Sequence, residues 1–339
     1  ATDLWTCLMN SVHSRMNMVK ESNCTHSTML ANFTSNGNQA KPFLKWAGGK
    51  SQLLPQFQEF YPAALKTGKI DKYIEPFVGG GAVFFDVSKR FELETFYLFD
   101  INEELVLTYR VIQKEPNKLI QYLQEMAKSY LALSEEKRKI FYYSVRDDFN
   151  SSQPQFDYQF YSDDWVVRAS QLMFMNRTCF NGLFRLNSRG AFNVPHGRYK
   201  NPSIVDVENI LCVSQTLQKA EISCGDFTAC EKWVTENSFV YFDPPYRPLS
   251  KTASFTSYSK YRFEDEEQIR LAQFFRKLDE KYGAYLMLSN SDPTNEDQQD
   301  DFFERLYMGF NIHKVLANRM INCDATRRGQ ISELLITNY

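Results

Sequence analysis

The sequence predicts an α/β fold in which a nucleotide-binding sheet is interrupted by a long, mainly helical insert. Three observations predict it. Residues 73–85 read as strand, glycine turn and helix around Glu75-Pro76-Phe77-Val78-Gly79-Gly80-Gly81, the first unit of such a sheet. A second apolar run, residues 96–100, ends in Asp100, 21 residues after Gly79. From residue 102 to about 219 the pattern changes: apolar residues recur at three- and four-residue steps over residues 103–113 and 115–130, residues 165–175 also look helical, and strand-like runs resume only afterwards. Residues 41–101 and 220–339 therefore form one domain, and residues 102–219 a second domain inserted into it.

The first informative stretch is Lys45-Trp46-Ala47-Gly48-Gly49-Lys50. Two glycines let a backbone approach a ligand closely, Trp46 can pack on a flat ring, and no acid occurs between Lys41 and Gln58. In the glycine turn that follows, Phe84 stands where the dinucleotide fingerprint has its third glycine, so the motif by itself is weak. Asp100 strengthens it, because a carboxylate there accepts from both hydroxyls of a ribose. Together these features point to an adenosine-bearing cofactor.

The insert reads as helices over residues 103–113, 115–130 and 165–175, with a polar loop at residues 151–157. Residues 168–201 hold five arginines (Arg168, Arg177, Arg185, Arg189, Arg198) and Lys200, with no Asp or Glu. Phe180, Phe184, Phe192 and Tyr199 are interleaved with them, as are the turn residues Asn181-Gly182 and Ser188-Arg189-Gly190. The whole chain has a net charge of only −2, so a local basic, aromatic, turn-rich stretch is what a nucleic-acid footprint would need.

Strands return at residues 221–226, closing on Asp226, and at residues 239–242. The second leads into Asp243-Pro244-Pro245-Tyr246. Two prolines lack the N–H groups that continue a ladder, so the strand stops in a stiff turn. The acid before the turn and the ring after it suit a planar, amino-bearing base. Asp243 and the Pro244 carbonyl accept from the amino group while Tyr246 stacks on the ring face. Residues 248–259, with Phe255 and Tyr258, read as a Ser/Thr-rich loop. A helix over residues 265–282 starts with acids and stops at Gly283. Strands at 285–289, 312–317 and 331–338 complete the sheet, and Arg319, Arg327 and Arg328 form a second basic loop.

Composition narrows the class. The chain has 339 residues, 43% hydrophobic and 24% charged, ordinary for a soluble globular protein. Its seven cysteines include no CxxC pair, which speaks against zinc or a disulfide framework and for a reducing cytoplasm. No apolar run reaches the ~18 residues of a membrane span. Residues 1–40 are rich in Ser, Thr, Asn and Met, without the order of a signal peptide; they read as a disordered extension.

The motifs, in this order, closely resemble the Dam-type DNA adenine-N6 methyltransferases (D12 class, alpha group), from about Lys41 to Tyr339. The strings Asn181-Gly182-Leu183-Phe184-Arg185, Phe192-Asn193-Val194-Pro195 and Gly197-Arg198-Tyr199-Lys200 carry the likeness together with the Asp243 tetrapeptide. The resemblance implies a Rossmann-like, S-adenosylmethionine-dependent methyltransferase sheet with a target-recognition insert. It implies methyl transfer to adenine N6 in double-stranded DNA, commonly at GATC, on a base flipped from the duplex. It places Trp46, Lys50, Phe77, Gly79, Gly81, Asp100, Asp226 and Asp243 at the cofactor and Asp243 to Tyr246 at the target adenine. It places Lys45, Phe180, Asn181, Leu183, Arg185, Asn187, Pro195 and Arg198 at the DNA. Phe180 stands where some relatives carry Tyr, so it keeps a ring but loses a hydroxyl.

A monomer is expected, and a cognate restriction endonuclease acting separately is the partner the resemblance allows. The residues leave other readings open: the same fold acting on RNA or protein, or at another DNA site, or a DNA-binding regulator without turnover. Asp rather than Asn before the two prolines favours DNA. A nicotinamide dehydrogenase fits less well, given the missing glycine and the insert. Cytosine carbon-5 chemistry needs a nucleophilic cysteine, usually after proline, and no cysteine here follows one.

Overall fold

The structure, a computed structural model, describes residues 39–187, 189–247, 263–318 and 330–339. The elements, in order, are β1 (Lys72–Glu75), α1 (Ala82–Arg90), β2 (Thr95–Asp100), α2 (Glu103–Lys114), α3 (Pro116–Leu131), α4 (Glu135–Ser152), α5 (Asp163–Thr178), α6 (Val207–Leu217), β3 (Ala220–Cys224), β4 (Ser238–Phe242), α7 (Asp265–Tyr282), β5 (Tyr285–Ser291), α8 (Phe302–Leu306), β6 (Asn311–Asn318) and β7 (Gln330–Thr337). Short helices also occur, such as Leu54–Phe57 and Ala63–Lys66. Two compact units divide the chain: Gly48–Asn102 with Lys219–Tyr339, and Glu103–Gln218 with the residues up to Ala47.

The first unit is the expected α/β sheet. Its strand order is β3-β2-β1-β4-β5-β7-β6. The first five strands run parallel and β7 lies antiparallel between β5 and β6. Chain order reverses between β1 and β4, which pair with Tyr73 opposite Phe239 and Ile74 opposite Val240. In an open parallel sheet, ligands bind beyond the carboxyl ends of the strands at this switch point. Here those ends are Glu75, which runs into the glycine turn, and Phe242, which runs into Asp243.

Both faces of the central strands are apolar, which is why they read as continuous runs rather than alternating ones. Ile74, Val240, Phe242, Leu286 and Leu288 pack with Leu271, Phe275 and Leu278 of α7. Helix α7 begins with Asp265, Glu266 and Glu267 and ends at Gly283, whose φ of 62° no residue with a Cβ adopts easily.

The second unit is helical. Helix α5 packs against α2, α3 and α4 and is buried on nearly every side. Helix α4 was not foreseen: it is mostly polar, and only Phe141, Tyr142, Val145 and Phe149 are buried. It also runs into the segment expected as a polar loop, ending at Ser152 before a single tight turn at Gln153–Gln155. The hydroxyls of Ser151 and Ser152 donate back to the carbonyls of Asp148 and Phe149, so these polar residues extend the helix. Helix α6, also unforeseen, starts at Asp206, whose side chain accepts from the Asn209 N–H.

Residues 41–47 were expected with the sheet; they pack within the helical unit. The Lys41 N–H donates to Asn209 at 3.0 Å and the Lys45 N–H to Asn176 at 2.8 Å, while Phe43 meets Tyr109 edge-on at 4.7 Å.

Candidate functional site

In the sheet unit, the end of β4 presents Asp243 with its side chain 20% exposed. Lys50, itself 4% exposed, reaches it with Nζ 2.8 Å from Oδ1. The same ammonium donates to the Gly48 carbonyl at 2.5 Å and lies 4.5 Å from the centre of the Tyr246 ring. Ser289 on β5 donates to Asp243 Oδ1 at 3.0 Å, and the Tyr241 hydroxyl lies 2.8 Å from Ser289 Oγ. Both recorded contacts of Asp243 therefore fall on Oδ1; among the described residues Oδ2 takes no hydrogen bond. Burial raises the Asp243 carboxyl above its ordinary range, against the lowering pull of Lys50 and Ser289.

The turn itself is held from outside. Gln268 of α7 donates to the Pro245 carbonyl at 3.0 Å and accepts from Asn290 at 3.0 Å. Arg247 pairs with Asp265 at 2.7 Å and Asp300 at 2.6 Å. Tyr246 donates its hydroxyl to Glu333 of β7 at 2.5 Å. Among the described residues the Pro244 carbonyl takes no hydrogen bond. A stiff loop thus leaves one carboxylate oxygen and one carbonyl oxygen as acceptors.

Beyond β1, Gly79 and Gly81 adopt φ of 48° and 73°, which is the reason glycine stands there. The Gly79 N–H donates to Asp100 Oδ2 at 3.0 Å and the Asn102 N–H to Oδ1 at 2.9 Å. Burial pushes the Asp100 carboxyl up to about 6 although these N–H groups lower it. Phe77, half-buried, packs on Phe227 at 5.4 Å and Phe263 at 5.7 Å. Asp226, past β3, is gripped by Arg270, which holds its carboxyl down at about 2. Glu75 is buried and accepts from Tyr73 at 2.8 Å; burial raises it well above the carboxylate range.

In the helical unit a second cluster forms around Asn176. Its side chain accepts from the Lys45 N–H and donates to the carbonyls of Lys45 at 2.9 Å and Gly182 at 3.0 Å. Gly182 has a φ of 64°, and a Cβ there would lie 2.2 Å from Lys45 Cδ and 3.2 Å from the Asn176 carbonyl oxygen, so a larger residue would displace the Lys45 side chain. Lys45 Nζ lies 5.4 Å from the Tyr199 ring, and the Tyr199 hydroxyl accepts from the Asn181 N–H at 3.1 Å. Lys45, Phe180, Asn181, Arg185, Pro195 and Arg198 are all exposed here, and Leu183 is half-buried. Phe180 is 52% exposed. Arg185 donates through Nε to Asn193 at 2.7 Å.

Several expectations change in detail. Arg168, counted in the basic stretch, is 1% exposed and forms a two-nitrogen ion pair with Glu104, its guanidinium 4.0 Å and 4.7 Å from the ring centres of Phe149 and Phe156. Arg177 donates to the Phe43 carbonyl at 2.8 Å. The exposed arginines of the stretch are Arg185, Arg189 and Arg198. Phe184 and Phe192 are core residues. Trp46 stacks on Phe184 at 5.3 Å within the helical unit. Asn187 uses its side-chain oxygen inside its own turn, accepting from the N–H groups of Arg189 and Ala191. The loop of residues 248–259 and Arg319, Arg327 and Arg328 lie outside the described residues, as does the 1–38 stretch.

Sequence reasoning missed Lys50 as a partner of Asp243, and Tyr241, Ser289, Gln268, Arg270 and Glu333 altogether. For Glu333 a signal existed, an acid inside the apolar run Ile331-Ser332-Glu333-Leu334-Leu335-Ile336. Among the described residues no cluster of His, Cys, Asp or Glu is placed to hold a metal, and no helix is long and apolar enough to cross a membrane.

A glycine turn after β1 and an acid–aromatic proline turn after β4, at the switch point of a parallel sheet, make this an α/β protein with the architecture of nucleotide-binding sheets. A family model described as D12 class N6 adenine-specific DNA methyltransferase matches residues 46–321, and the chain belongs to that family. It is 54% identical over 302 residues to the Type II methyltransferase M.MjaIII of Methanocaldococcus jannaschii, covering 89% of this chain and 100% of that protein. It is 40% identical over 301 residues to the Type II methyltransferase M1.LlaDCHI of Lactococcus lactis subsp. cremoris, covering 88% and 95%. It is 32% identical over 295 residues to the DNA adenine methylase of Escherichia coli K12, covering 87% and 94%. The enzyme methylates adenine in DNA, and family membership implies S-adenosylmethionine as the methyl donor.

Proposed function

We propose that the chain transfers the methyl group to the exocyclic N6 of an adenine in double-stranded GATC, after the base has left the duplex. The observation that carries the adenine-N6 part of this reading is the Asp243 turn: Oδ1 is tied to Lys50 and Ser289, while among the described residues Oδ2 and the Pro244 carbonyl remain as acceptors. Two acceptors match the two N–H bonds of an adenine amino group.

The residues past β1 and β2 fit the cofactor. The left-handed glycines remove side chains from the turn, Asp100 offers a carboxylate for ribose hydroxyls, and Phe77 offers a flat face. We assign Lys50, Phe77, Gly79, Gly81, Asp100, Asp226 and Asp243 to that site. Bound there, S-adenosylmethionine supplies an electrophilic methyl group on a sulfonium.

Each further step belongs to the chain's own residues. Flipping a base costs a few kcal/mol, and stacking on Tyr246 offsets it by roughly 1–3 kcal/mol. The adenine amino nitrogen is a poor nucleophile because its lone pair is delocalised into the ring. Hydrogen bonds to Asp243 Oδ2 and the Pro244 carbonyl favour a pyramidal nitrogen and stabilise the positive charge it develops. The remainder is positioning for in-line attack. Asp243, raised by burial, is a suitable first acceptor for the proton the amino group must lose.

The helical unit is assigned to target recognition. Lys45 and Arg198 would meet phosphates or base edges, and Arg185 a guanine edge, since among the described residues its two terminal nitrogens take no hydrogen bond and suit a bidentate contact. Phe180, Asn181, Leu183, Asn187 and Pro195 complete the surface. A monomer in the cytoplasm, with a cognate restriction endonuclease acting separately, is part of this proposal. The Type II methyltransferase names of two relatives support the restriction-modification part of it.

The test is transfer of labelled methyl from S-adenosylmethionine to matched duplexes, one with GATC and one with the same bases scrambled. Label only on the GATC adenine is expected. Label on both discards the site, and no label with the cofactor bound discards the substrate.

A further inference from the structure

Asp243 has one oxygen anchored, and part of the anchor is a polar chain running back into the sheet. Strands β4 and β5 pair in parallel with Tyr241 opposite Met287 and Phe242 opposite Leu288. Continuing that register sets Ser289 beside Asp243. Side chains two residues apart share a face of a strand, so Tyr241 and Asp243 face the same way as Ser289. Tyr241 and Ser289 are both completely buried.

The direction of the chain follows from proton counting. Ser289 has one hydroxyl proton and donates it to Asp243 Oδ1 at 3.0 Å. The 2.8 Å contact between Tyr241 and Ser289 must therefore be a donation from the phenol to Ser289 Oγ. Tyr241 O–H to Ser289 O–H to Asp243 Oδ1 is a one-way chain. Donation from the phenol leaves the serine proton for the carboxylate and polarises it toward that acceptor.

We infer that Tyr241 and Ser289 are positioning residues for methyl transfer: they lock the Asp243 carboxylate so that Oδ2 faces the target amino group. This rests on the proposed role of Asp243. Lys50 alone would not achieve it. An ammonium is a rotatable point charge that attracts either oxygen, whereas a hydroxyl fixed by its own donor specifies one oxygen and one orientation. The charged and titratable groups around Asp243 are Lys50, Glu75, Tyr241, Tyr246 and Glu333. None of the others donates a hydrogen bond to the carboxylate from inside the sheet.

The test uses Ser289→Ala, Tyr241→Phe and Asp243→Ala in the full chain. Single-turnover transfer of labelled methyl from S-adenosylmethionine to unmethylated plasmid DNA is followed against pH, with cofactor affinity measured by calorimetry. Ser289→Ala should slow transfer about tenfold to a hundredfold, the worth of a hydrogen bond to a charged group, with a smaller fractional loss of cofactor affinity than of transfer rate. Loss of that donor raises the carboxyl, so the acid limb of the pH profile should move to higher pH, which a packing defect would not produce. Tyr241→Phe should act in the same direction but less, about threefold to tenfold. Wild-type rate and an unmoved acid limb in Ser289→Ala, beside an inactive Asp243→Ala, overturn the inference alone. An active Asp243→Ala overturns the proposed role of Asp243 and the inference with it. If Ser289→Ala fails to fold, Tyr241→Phe decides, and an unchanged rate and limb there overturn the inference.

Discussion

Arg270 and Asp226 meet fork to fork, with Nη1 2.9 Å from Oδ1 and Nη2 2.6 Å from Oδ2. Oδ1 also accepts from the Thr228 N–H at 3.0 Å and its hydroxyl at 2.6 Å. The guanidinium lies 4.1 Å from the centre of the Phe227 ring. An acid assigned to the cofactor site is thus already aimed by a cation.

Arg270→Ala should cost no more than about 1 kcal/mol of stability, because both partners are 40% exposed and solvent screens the pair. Arg270 holds the Asp226 carboxyl down at about 2. A lowered carboxyl contributes its stability above its ordinary value of 3.8 and loses it as pH falls through about 2. Urea titrations of wild type and variant should therefore differ at neutral pH and converge near pH 2. Affinity for S-adenosylmethionine should fall about tenfold if Asp226 must be oriented to bind it.

Asp100 gives the opposite pH behaviour. Burial raises its carboxyl from 3.8 to about 6. Folding favours the protonated form, so that contribution to stability is present below about 3.8 and lost as pH rises through about 6. Ribose binding by two acceptor oxygens needs the ionised form. Calorimetric affinity for S-adenosylmethionine should rise about tenfold per pH unit up to about 6 and then level off. Asp100→Asn should bind more weakly and lose this limb.

Arg185→Ala should relax discrimination by about 1–3 kcal/mol at one base pair. Competition among duplexes carrying each single-base change measures it. Equal loss on every duplex would instead mark Arg185 as a phosphate contact.

Gly197→Ala tests how tightly the Arg198 turn is built. A Cβ at Gly197 would lie 2.5 Å from Tyr199 Cε2 and 2.6 Å from the Cys179 carbonyl oxygen. Since the oxygen is backbone, the turn must shift. The expected cost is about 1–3 kcal/mol in urea unfolding, with a larger fractional loss of DNA affinity than of cofactor affinity.

Much of the fold is written locally. The glycine turn, the paired prolines, the acid-started and glycine-ended helix α7 and the apolar runs of β1, β2, β4 and β5 each state their structure within a few residues. Dihedral preference and side-chain period are local properties. The polar face of α4 concealed a helix for the complementary reason: its four buried residues signify something only once another helix covers them.

What the sequence by itself determined is the sheet, the insert and the residues of the two turns. Tertiary structure alone decided what those residues touch. Arg168 and Arg185 are the same residue type in the same acid-free stretch, yet one is sealed against Glu104 and the other stands in solvent. A charge count has no term for burial. Ser289 and Glu333 lie 46 and 87 residues from Asp243 and Tyr246, respectively, and reach them only through strand register. That register is set by summed apolar packing across the sheet, a property of the folded whole that no local pattern contains.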